Sequence, residues 1–166
     1  MNKLKIKRVK ATLQQKPILA NLLELYAYDF TEFCDFDIGD NGLYGYPWLA
    51  HYWKKSTRYP YLIYVNQKIA GFVLLQQGCP FLDNTNIWDI SEFFILKKYR
   101  HLGVGTNIAL DTWAEFKGPW QVRVLQNNTH ALTFWQQAIQ AFTGTPPKKT
   151  EVCIKQQNWV FYRFDS

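Results

Sequence analysis

The residues most suited to chemistry lie around a glycine-containing turn, Arg100-His101-Leu102-Gly103-Val104-Gly105. The apolar segment before this turn predicts a β-strand, and the spacing of apolar residues after it predicts a helix. The first N–H groups of a helix have no partner within the helix, and its dipole adds about half a positive charge there. Two glycines also let a ligand approach the backbone closely. The turn therefore predicts a binding site for a phosphate or pyrophosphate.

By itself, this R-x-x-G-x-G pattern is not specific for a phosphate site. Two glycines can simply make a tight connection between a strand and a helix. A dinucleotide-binding loop fits poorly, because the spacing is not G-x-G-x-x-G and the turn follows several strands rather than the first. The elements around the turn must therefore distinguish these possibilities.

A second candidate for chemistry is Glu92, which lies in the predicted strand before the turn. Simple alternation places Trp88, Ile90, Glu92, Phe94 and Leu96 on one face of that strand. In such an apolar row, loss of hydration raises the pKa of a carboxyl toward neutrality, which suits a general base. The alternative is a structural carboxylate that accepts hydrogen bonds from backbone or tyrosine groups.

The periodicity of apolar residues predicts the helices and strands that must position these residues. We predict a single domain over residues 1–166. In order, we predict an edge strand Lys3–Lys10, a helix after Pro17, a loop Phe30–Tyr46, a short helix Pro47–Lys54, a hairpin of Tyr61–Val65 and Ile69–Gln76 that turns near Asn66-Gln67, a strand Ile87–Leu96, a helix from Val104 to Phe116, a strand Trp120–Leu125, a helix from Ala131 to Phe142, a turn Thr143–Lys149, and a closing hairpin of Glu151–Lys155 and Trp159–Phe164.

Composition excludes several classes of protein. The chain has 166 residues, of which 48% are hydrophobic, but no apolar run approaches the ~20 residues needed to span a bilayer. The basic N-terminus lacks the apolar run of a secretory signal, so we expect a cytoplasmic protein. Cys34, Cys79 and Cys153 are odd in number and widely spaced, which predicts neither a disulfide framework nor a zinc site.

The net charge of +6 is unevenly distributed, with a basic N-terminal stretch and an acidic run from Asp29 to Asp40. A basic balance is compatible with nucleic-acid binding, with a basic rim around a polyanionic cofactor, or with an ordinary solvated surface. Nucleic-acid binding is the weaker alternative.

The order β-α-α-β-β-β-α-β-α-β-β, with R-x-x-G-x-G after the fourth strand, resembles the GCN5-related N-acetyltransferase (GNAT) superfamily. A second match is Asn128-x-x-Ala131-x-x-Phe134-Trp135 after the fifth strand, and Tyr28–Phe33 and Glu92–Arg100 are similar to a bacterial branch of predicted acetyltransferases. The resemblance implies an α/β fold with about four helices. Its central sheet would have six or seven mostly antiparallel strands and would splay between the fourth and fifth.

The resemblance further implies acetyl-CoA as co-substrate, with no metal. Backbone amides across Leu102–Thr106 would hold the pyrophosphate, Phe94–Leu96 would pair with the pantetheine arm, and Asn128 would lie near its thiol end. The cofactor-binding residues implied in this way are Phe94, Ile95, Leu96, Arg100, Leu102, Gly103, Val104, Gly105, Thr106, Asn128, Phe134 and Trp135.

The implied reaction is transfer of an acetyl group to a primary amine by direct attack, with Glu92 as general base. The position that often carries a tyrosine in the superfamily is Trp135 here, and indole has no titratable proton to donate. Tyr162, a water molecule or no acid at all could serve the leaving thiolate. This departure keeps a non-catalytic acyl-CoA-binding or regulatory module as the alternative.

The acidic loop suggests an acceptor site, because the segment between the first two helices usually walls that site in the superfamily. Asp29 and Glu32 would attract a cationic amine, and Tyr44 would offer an aromatic wall, as would Tyr46 and Trp48. The alternative is a solvated acidic loop. The sequence leaves the acceptor and the oligomeric state open, a homodimer included.

Overall fold

The computed structural model describes residues 4–79 and 85–166. It consists of one mixed sheet with helices on both faces. The start of the predicted first strand, at Lys3, lies outside those residues. Within them the strands are β1 Ile6–Lys10, β2 Arg58–Val65, β3 Lys68–Gln77, β4 Trp88–Ile95, β5 Pro119–Leu125, β6 Lys148–Ile154 and β7 Gln157–Asp165, and the α-helices are α1 Lys16–Phe30, α2 His51–Lys54, α3 Val104–Glu115 and α4 Thr129–Thr143.

The strand order is β1-β2-β3-β4-β5-β7-β6, and every neighbouring pair is antiparallel except β4 and β5. The parallel pair is short, because its register runs only from Trp88 opposite Trp120 to Ile90 opposite Val122. Beyond those residues the two strands diverge and leave a gap in the sheet. The predicted mixed fold, with its splay between the fourth and fifth strands, is confirmed.

Two hydrophobic cores cover the two faces of the sheet. On one face α1 and α2 pack on β2, β3 and β4 through buried apolar residues such as Leu19, Leu62, Phe72, Leu74 and Phe94. On the other face α3 and α4 pack on the same sheet through Ile108, Trp113, Trp120, Val122 and Ile139. Each helix buries one apolar stripe, as its helical spacing predicted. The gap between β4 and β5 therefore lies between two fixed layers of helices.

Both predicted hairpins form with two-residue turns. Asn66 and Gln67 have φ angles of 49° and 65°, and Lys155 and Gln156 repeat the same pair of values. Positive φ at both central residues matches the twist of antiparallel strands. The predicted short helix at Pro47–Lys54 is only partly present, because α2 begins at His51 after a series of turns.

A bulge in β4 changes which residues share a face. Leu74 lies opposite Glu92 but Leu75 lies opposite Ile90, so Ser91 is the additional residue. Trp88 and Ile90 join the core under α3 and α4, whereas Phe94 joins the core under α1 and α2, with Glu92 on the same side as Phe94. The prediction that all five alternating residues share one face was wrong, since the bulge reverses the alternation.

Candidate active site

A cavity of about 1040 Å³ occupies the gap between β4 and β5. Its walls come from the end of α1, the loop that follows it, the second half of β4, the turn before α3, the end of β5 and the first turns of α4. This volume is at the upper end of the range for small-molecule sites, roughly 300–1,000 Å³. The cavity extends from the α3 N-terminus to Glu92.

The glycine-containing turn, which the sequence predicted as a phosphate site, opens onto this cavity. Gly103 has a φ of 74°, in the left-handed region, and α3 begins at the next residue. The backbone N–H of Asn107 donates to the carbonyl of Gly103, so the helical pattern leaves the amides of residues 104–106 without a partner inside the helix. These amides can hold an anion.

The two glycines of the turn have different roles. A Cβ on Gly103 would meet nothing within 4 Å, so the backbone there is open to a ligand. A Cβ on Gly105 would lie 3.2 Å from the ring of Phe134, so this glycine lets α3 pack closely on α4. Leu102 is exposed and Val104 is buried, and neither is among the residues that line the cavity.

The main chain of β4 faces the gap at different residues from those predicted. The N–H of Leu96 donates to Ala70 of β3 at 2.8 Å, so the backbone groups of Leu96 and Phe94 point toward β3. Those of Phe93 and Ile95 point toward the gap. Of the predicted segment Phe94–Leu96, only Ile95 therefore presents its backbone there, and Phe93 was missed.

Arg100 and Asp29, predicted for different ligands, bind each other. The guanidinium of Arg100 donates to the Asp29 carboxylate and, through Nε, to the carbonyl of Ile95 at 2.7 Å. Lys97 Nζ lies 3.0 Å from the same carboxylate. Burial alone would raise the pKa of Asp29, but hydrogen bonds from Arg100 and Lys97 outweigh it and lower that pKa. Asp29 is thus not the unpaired carboxylate that the acceptor hypothesis requires.

Glu92 lies inside the cavity and is held by tyrosine hydroxyls. Tyr46 Oη donates to its carboxylate at 2.9 Å. Burial raises the pKa of Glu92, and hydrogen bonds from Tyr26 and Tyr46 oppose that rise without cancelling it. Burial and the adjacent Glu92 also raise the pKa of Tyr46, so its hydroxyl stays protonated and remains a donor.

The loop that carries Tyr46 is anchored to α1 by a carboxylate. Glu24 accepts hydrogen bonds from the backbone N–H groups of Tyr44 and Gly45 at 2.7 and 2.8 Å. Helical spacing places Tyr26 and Phe30 on adjacent turns of α1, and both line the cavity. The sequence suggested Tyr44 and Tyr46 as aromatic walls but not their link to Glu24.

A buried ion pair that sequence reasoning missed lies beside the base of the cavity. Arg123 donates two hydrogen bonds of 2.8 Å to Asp89, which is 0% exposed, and Gln76 donates to the same carboxylate at 2.9 Å. Burial would lower the pKa of Arg123, but Asp89 outweighs it and raises that pKa. An acidic residue within an apolar strand was the available signal. Arg123 also lines the cavity.

Helix α4 contributes a cap and an aromatic cluster. Asn128 Oδ1 accepts from the N–H of Ala131 at 3.0 Å, which makes Asn128 the N-cap of the helix. The Trp135 ring lies 5.0 Å from that of Phe93 and 4.8 Å from that of Phe134, measured between centroids. Asn128, Phe134 and Trp135 all line the cavity.

Two side chains proposed from the sequence for catalysis or for the acceptor site do not reach the cavity. The Tyr162 hydroxyl lies beneath α4, where it donates to the carbonyl of Leu132 at 3.5 Å. Burial raises the pKa of Tyr162. Trp48 is exposed and packs on His51. Glu32, by contrast, is exposed at the cavity rim, and Tyr44 lines the wall.

Two kinds of feature are absent from residues 4–79 and 85–166, the part of the chain that the structure describes. No three His, Cys, Asp or Glu side chains in those ranges are grouped so as to hold a metal ion. No helix there has the length and apolarity of a membrane-spanning segment.

Comparison with known proteins gives a family match and several similar folds. Residues 20–139 match the model of the acetyltransferase (GNAT) family. An acetyltransferase from Thermus thermophilus is 14% identical to this chain. Its alignment covers 97% of each chain and has a TM-score of 0.70. A Bacillus subtilis acetyltransferase in complex with CoA is 14% identical, covers 99% of each chain and has a TM-score of 0.59.

A GNAT-family acetyltransferase from Staphylococcus aureus is 17% identical over 96% of this chain and 99% of its own, with a TM-score of 0.62. No match is found among curated proteins. At these identities the solved structures demonstrate the shared fold.

Proposed function

Because the chain belongs to the GNAT acetyltransferase family, we propose that it transfers an acetyl group from acetyl-CoA to a primary amine. The observation that carries this proposal is the cavity between β4 and β5, which joins an anion-binding helix N-terminus to a carboxylate with a raised pKa. Acyl transfer to an amine needs both, since the donor carries phosphates and the amine must lose a proton.

The turn before α3 fits the pyrophosphate of CoA. Its amides over residues 104–106 point outward, and Gly103 leaves the backbone open. Phe93 and Ile95 offer main-chain groups along the gap, where the pantetheine arm would lie. The fold shared with a Bacillus subtilis acetyltransferase in complex with CoA supports this placement.

Glu92 is the residue that we assign to proton removal. When bound, acetyl-CoA supplies an activated thioester carbonyl for attack. The Glu92 carboxylate would accept a proton from the substrate ammonium, directly or through water, and so produce the neutral nucleophile. In the net reaction an N–C bond forms and a C–S bond breaks, with its electron pair leaving on sulfur. An N–H bond of the attacking nitrogen also breaks, and its proton passes to the thiolate through water. Hydrogen bonds from Tyr46 and Tyr26 orient the carboxylate for this role.

The chain offers no phenol at the usual position of the leaving-group acid. Trp135 occupies that position as a packed indole, and the Tyr162 hydroxyl lies outside the cavity. A thiolate can leave without a protein acid, and water can protonate it afterwards. Trp135 is also the feature that favours the second candidate function, an acyl-CoA-binding module without turnover.

An amine panel assayed by release of free CoA thiol tests the proposal. Glu92→Gln should lower kcat by about 10²-fold or more, the usual contribution of a general base, while CoA affinity measured by calorimetry stays unchanged. The matched control is Glu151→Gln, which changes an exposed carboxylate of β6 outside the cavity lining and should leave kcat near wild type. Unchanged turnover in Glu92→Gln would contradict the role of Glu92. CoA binding without thiol release for any amine would favour the binding module.

A further inference from the structure

One half of the cavity has an aromatic wall, formed by Tyr26, Phe30, Phe33, Phe36, Tyr44 and Tyr46. Within this wall the ring centroids of Tyr26 and Phe30 are 5.4 Å apart, and those of Phe30 and Phe33 are 6.1 Å apart. Phe36 and Tyr44 pack edge to face at 5.5 Å. The rings come from α1 and the loop after it, and Tyr46 connects them to Glu92.

The wall is held in place before any ligand binds. Glu24 ties the backbone of Tyr44 and Gly45 to α1. At the other end of the loop, Asn127 Nδ2 donates to the carbonyl of Phe33 at 2.9 Å and so bridges the gap from β5. A preformed wall of this kind selects a ligand by its shape with little ordering cost.

The charges around the cavity do not favour a polycation. Three carboxylates line it, from Asp29, Glu32 and Glu92, and so do three cationic side chains, from Lys97, Arg100 and Arg123. Asp29 is neutralised by Lys97 and Arg100, and Glu32 is exposed to solvent at the rim. Glu92 therefore provides the negative charge in the interior. A ligand with several ammonium groups would need several such carboxylates.

We propose that the acceptor is a monoamine whose amino group is joined by a short linker to an aromatic or similarly broad apolar group. Its ammonium would contact Glu92 and its ring would lie along the aromatic wall. This inference rests on the acetyl transfer proposed above. The substrate class follows from two features of the cavity, the Glu92 carboxylate in its interior and the broad apolar surface of the aromatic wall.

Three probe amines separate shape from charge. They are 2-phenylethylamine, ethylamine, which keeps the amino group and lacks the ring, and spermidine, which carries several amines. With the full chain and acetyl-CoA, kcat/KM for 2-phenylethylamine should exceed those for ethylamine and spermidine by about tenfold or more, since ring contacts are added only there. Spermidine turnover equal to or above that of 2-phenylethylamine would overturn the inference.

A pair of adjacent variants locates the contact. Tyr44→Ala should lower kcat/KM for 2-phenylethylamine about tenfold and leave that for ethylamine unchanged. Leu43→Ala, on the same loop but exposed and outside the cavity lining, should affect neither. Equal losses for both amines in Tyr44→Ala would show that the ring does not contact the wall and would overturn the assignment.

The outcomes also separate the substrate class from the activity. Turnover of any primary amine that depends on Glu92 supports acetyl transfer even if the aromatic preference fails. No thiol release with any of the three amines, while CoA binds, would overturn both proposals. CoA affinity of each variant, measured by calorimetry, shows that the fold and the cofactor end of the cavity are intact.

Discussion

At the residue scale, the same side chain has different chemistry in different surroundings. Glu92 and Asp29 both line the cavity, yet burial raises the pKa of Glu92, whereas Arg100 and Lys97 outweigh burial and lower that of Asp29. The difference comes from their partners, which are tyrosine hydroxyls for Glu92 and two cations for Asp29. Glu92 is therefore suited to exchange a proton. Asp29 instead stabilises the turn through its ion pair with Arg100.

The raised pKa of Glu92 predicts a particular pH dependence. A general base acts in its deprotonated form, so kcat should fall as the pH is lowered through that pKa. The fall should come at higher pH than for a solvated glutamate. A profile of kcat against pH measures this limb, which should disappear from the residual activity of Glu92→Gln and persist in Glu151→Gln. An acid limb retained in Glu92→Gln would assign the titration to another group.

At the element scale, the N-terminus of α3 is the part of the site that a local pattern predicts well. The left-handed Gly103 ends the turn and lets the helix begin with its amides facing the cavity. Asn128 marks the start of α4, where its side chain caps the helix by accepting a hydrogen bond from the N–H of Ala131. In both, a short sequence pattern determines local geometry because its hydrogen bonds are local.

A negative charge at the N-terminus of α3 should repel the phosphates of CoA. We expect Gly103→Asp to weaken CoA binding by about tenfold or more, as measured by calorimetry. Gly42→Asp is the matched control, because Gly42 has a φ of 73°, is open on all sides and lies outside the cavity lining. An equal loss in the two variants would attribute the effect to backbone strain, and no loss in Gly103→Asp would contradict the phosphate site.

At the scale of the whole molecule, a polar network joins three strands where the sheet begins to split. Gln76 of β3 and Arg123 of β5 both donate to Asp89 of β4, next to the last parallel pair before the gap. The network holds the three strands together at this level, and β4 and β5 diverge beyond it. The width of the cavity thus depends on residues that lie far apart in the sequence.

Removing one member of this network should destabilise the whole domain. Asp89→Ala removes the carboxylate that accepts two hydrogen bonds from the buried Arg123 guanidinium, and it should lower the free energy of unfolding by about 3–5 kcal/mol, measured by urea denaturation. Glu151→Ala breaks the exposed pair with Lys149, which water screens, and should leave the free energy of unfolding nearly unchanged. Similar losses in both variants would show that the buried pair has no special role.

Features that depend on neighbouring residues could be predicted from the amino-acid sequence. Period-two and helical spacing predicted the strands and helices, and the two-residue turns at Asn66-Gln67 and Lys155-Gln156 lie where the hairpins required them. The turn before α3 and the motif that begins at Asn128 were sufficient to indicate the family. Their geometry follows from local hydrogen bonds and steric limits on φ and ψ.

Which of these residues act together depends on how the chain folds. The bulge at Ser91 moved Glu92 to the face occupied by Tyr26 and Tyr46, and simple alternation could not predict it because the bulge depends on register with β3. Asp29 and Arg100 are 71 residues apart, so composition could not show that they neutralise each other. A charge acts according to its distance from other charges and from water, and the folded chain determines both.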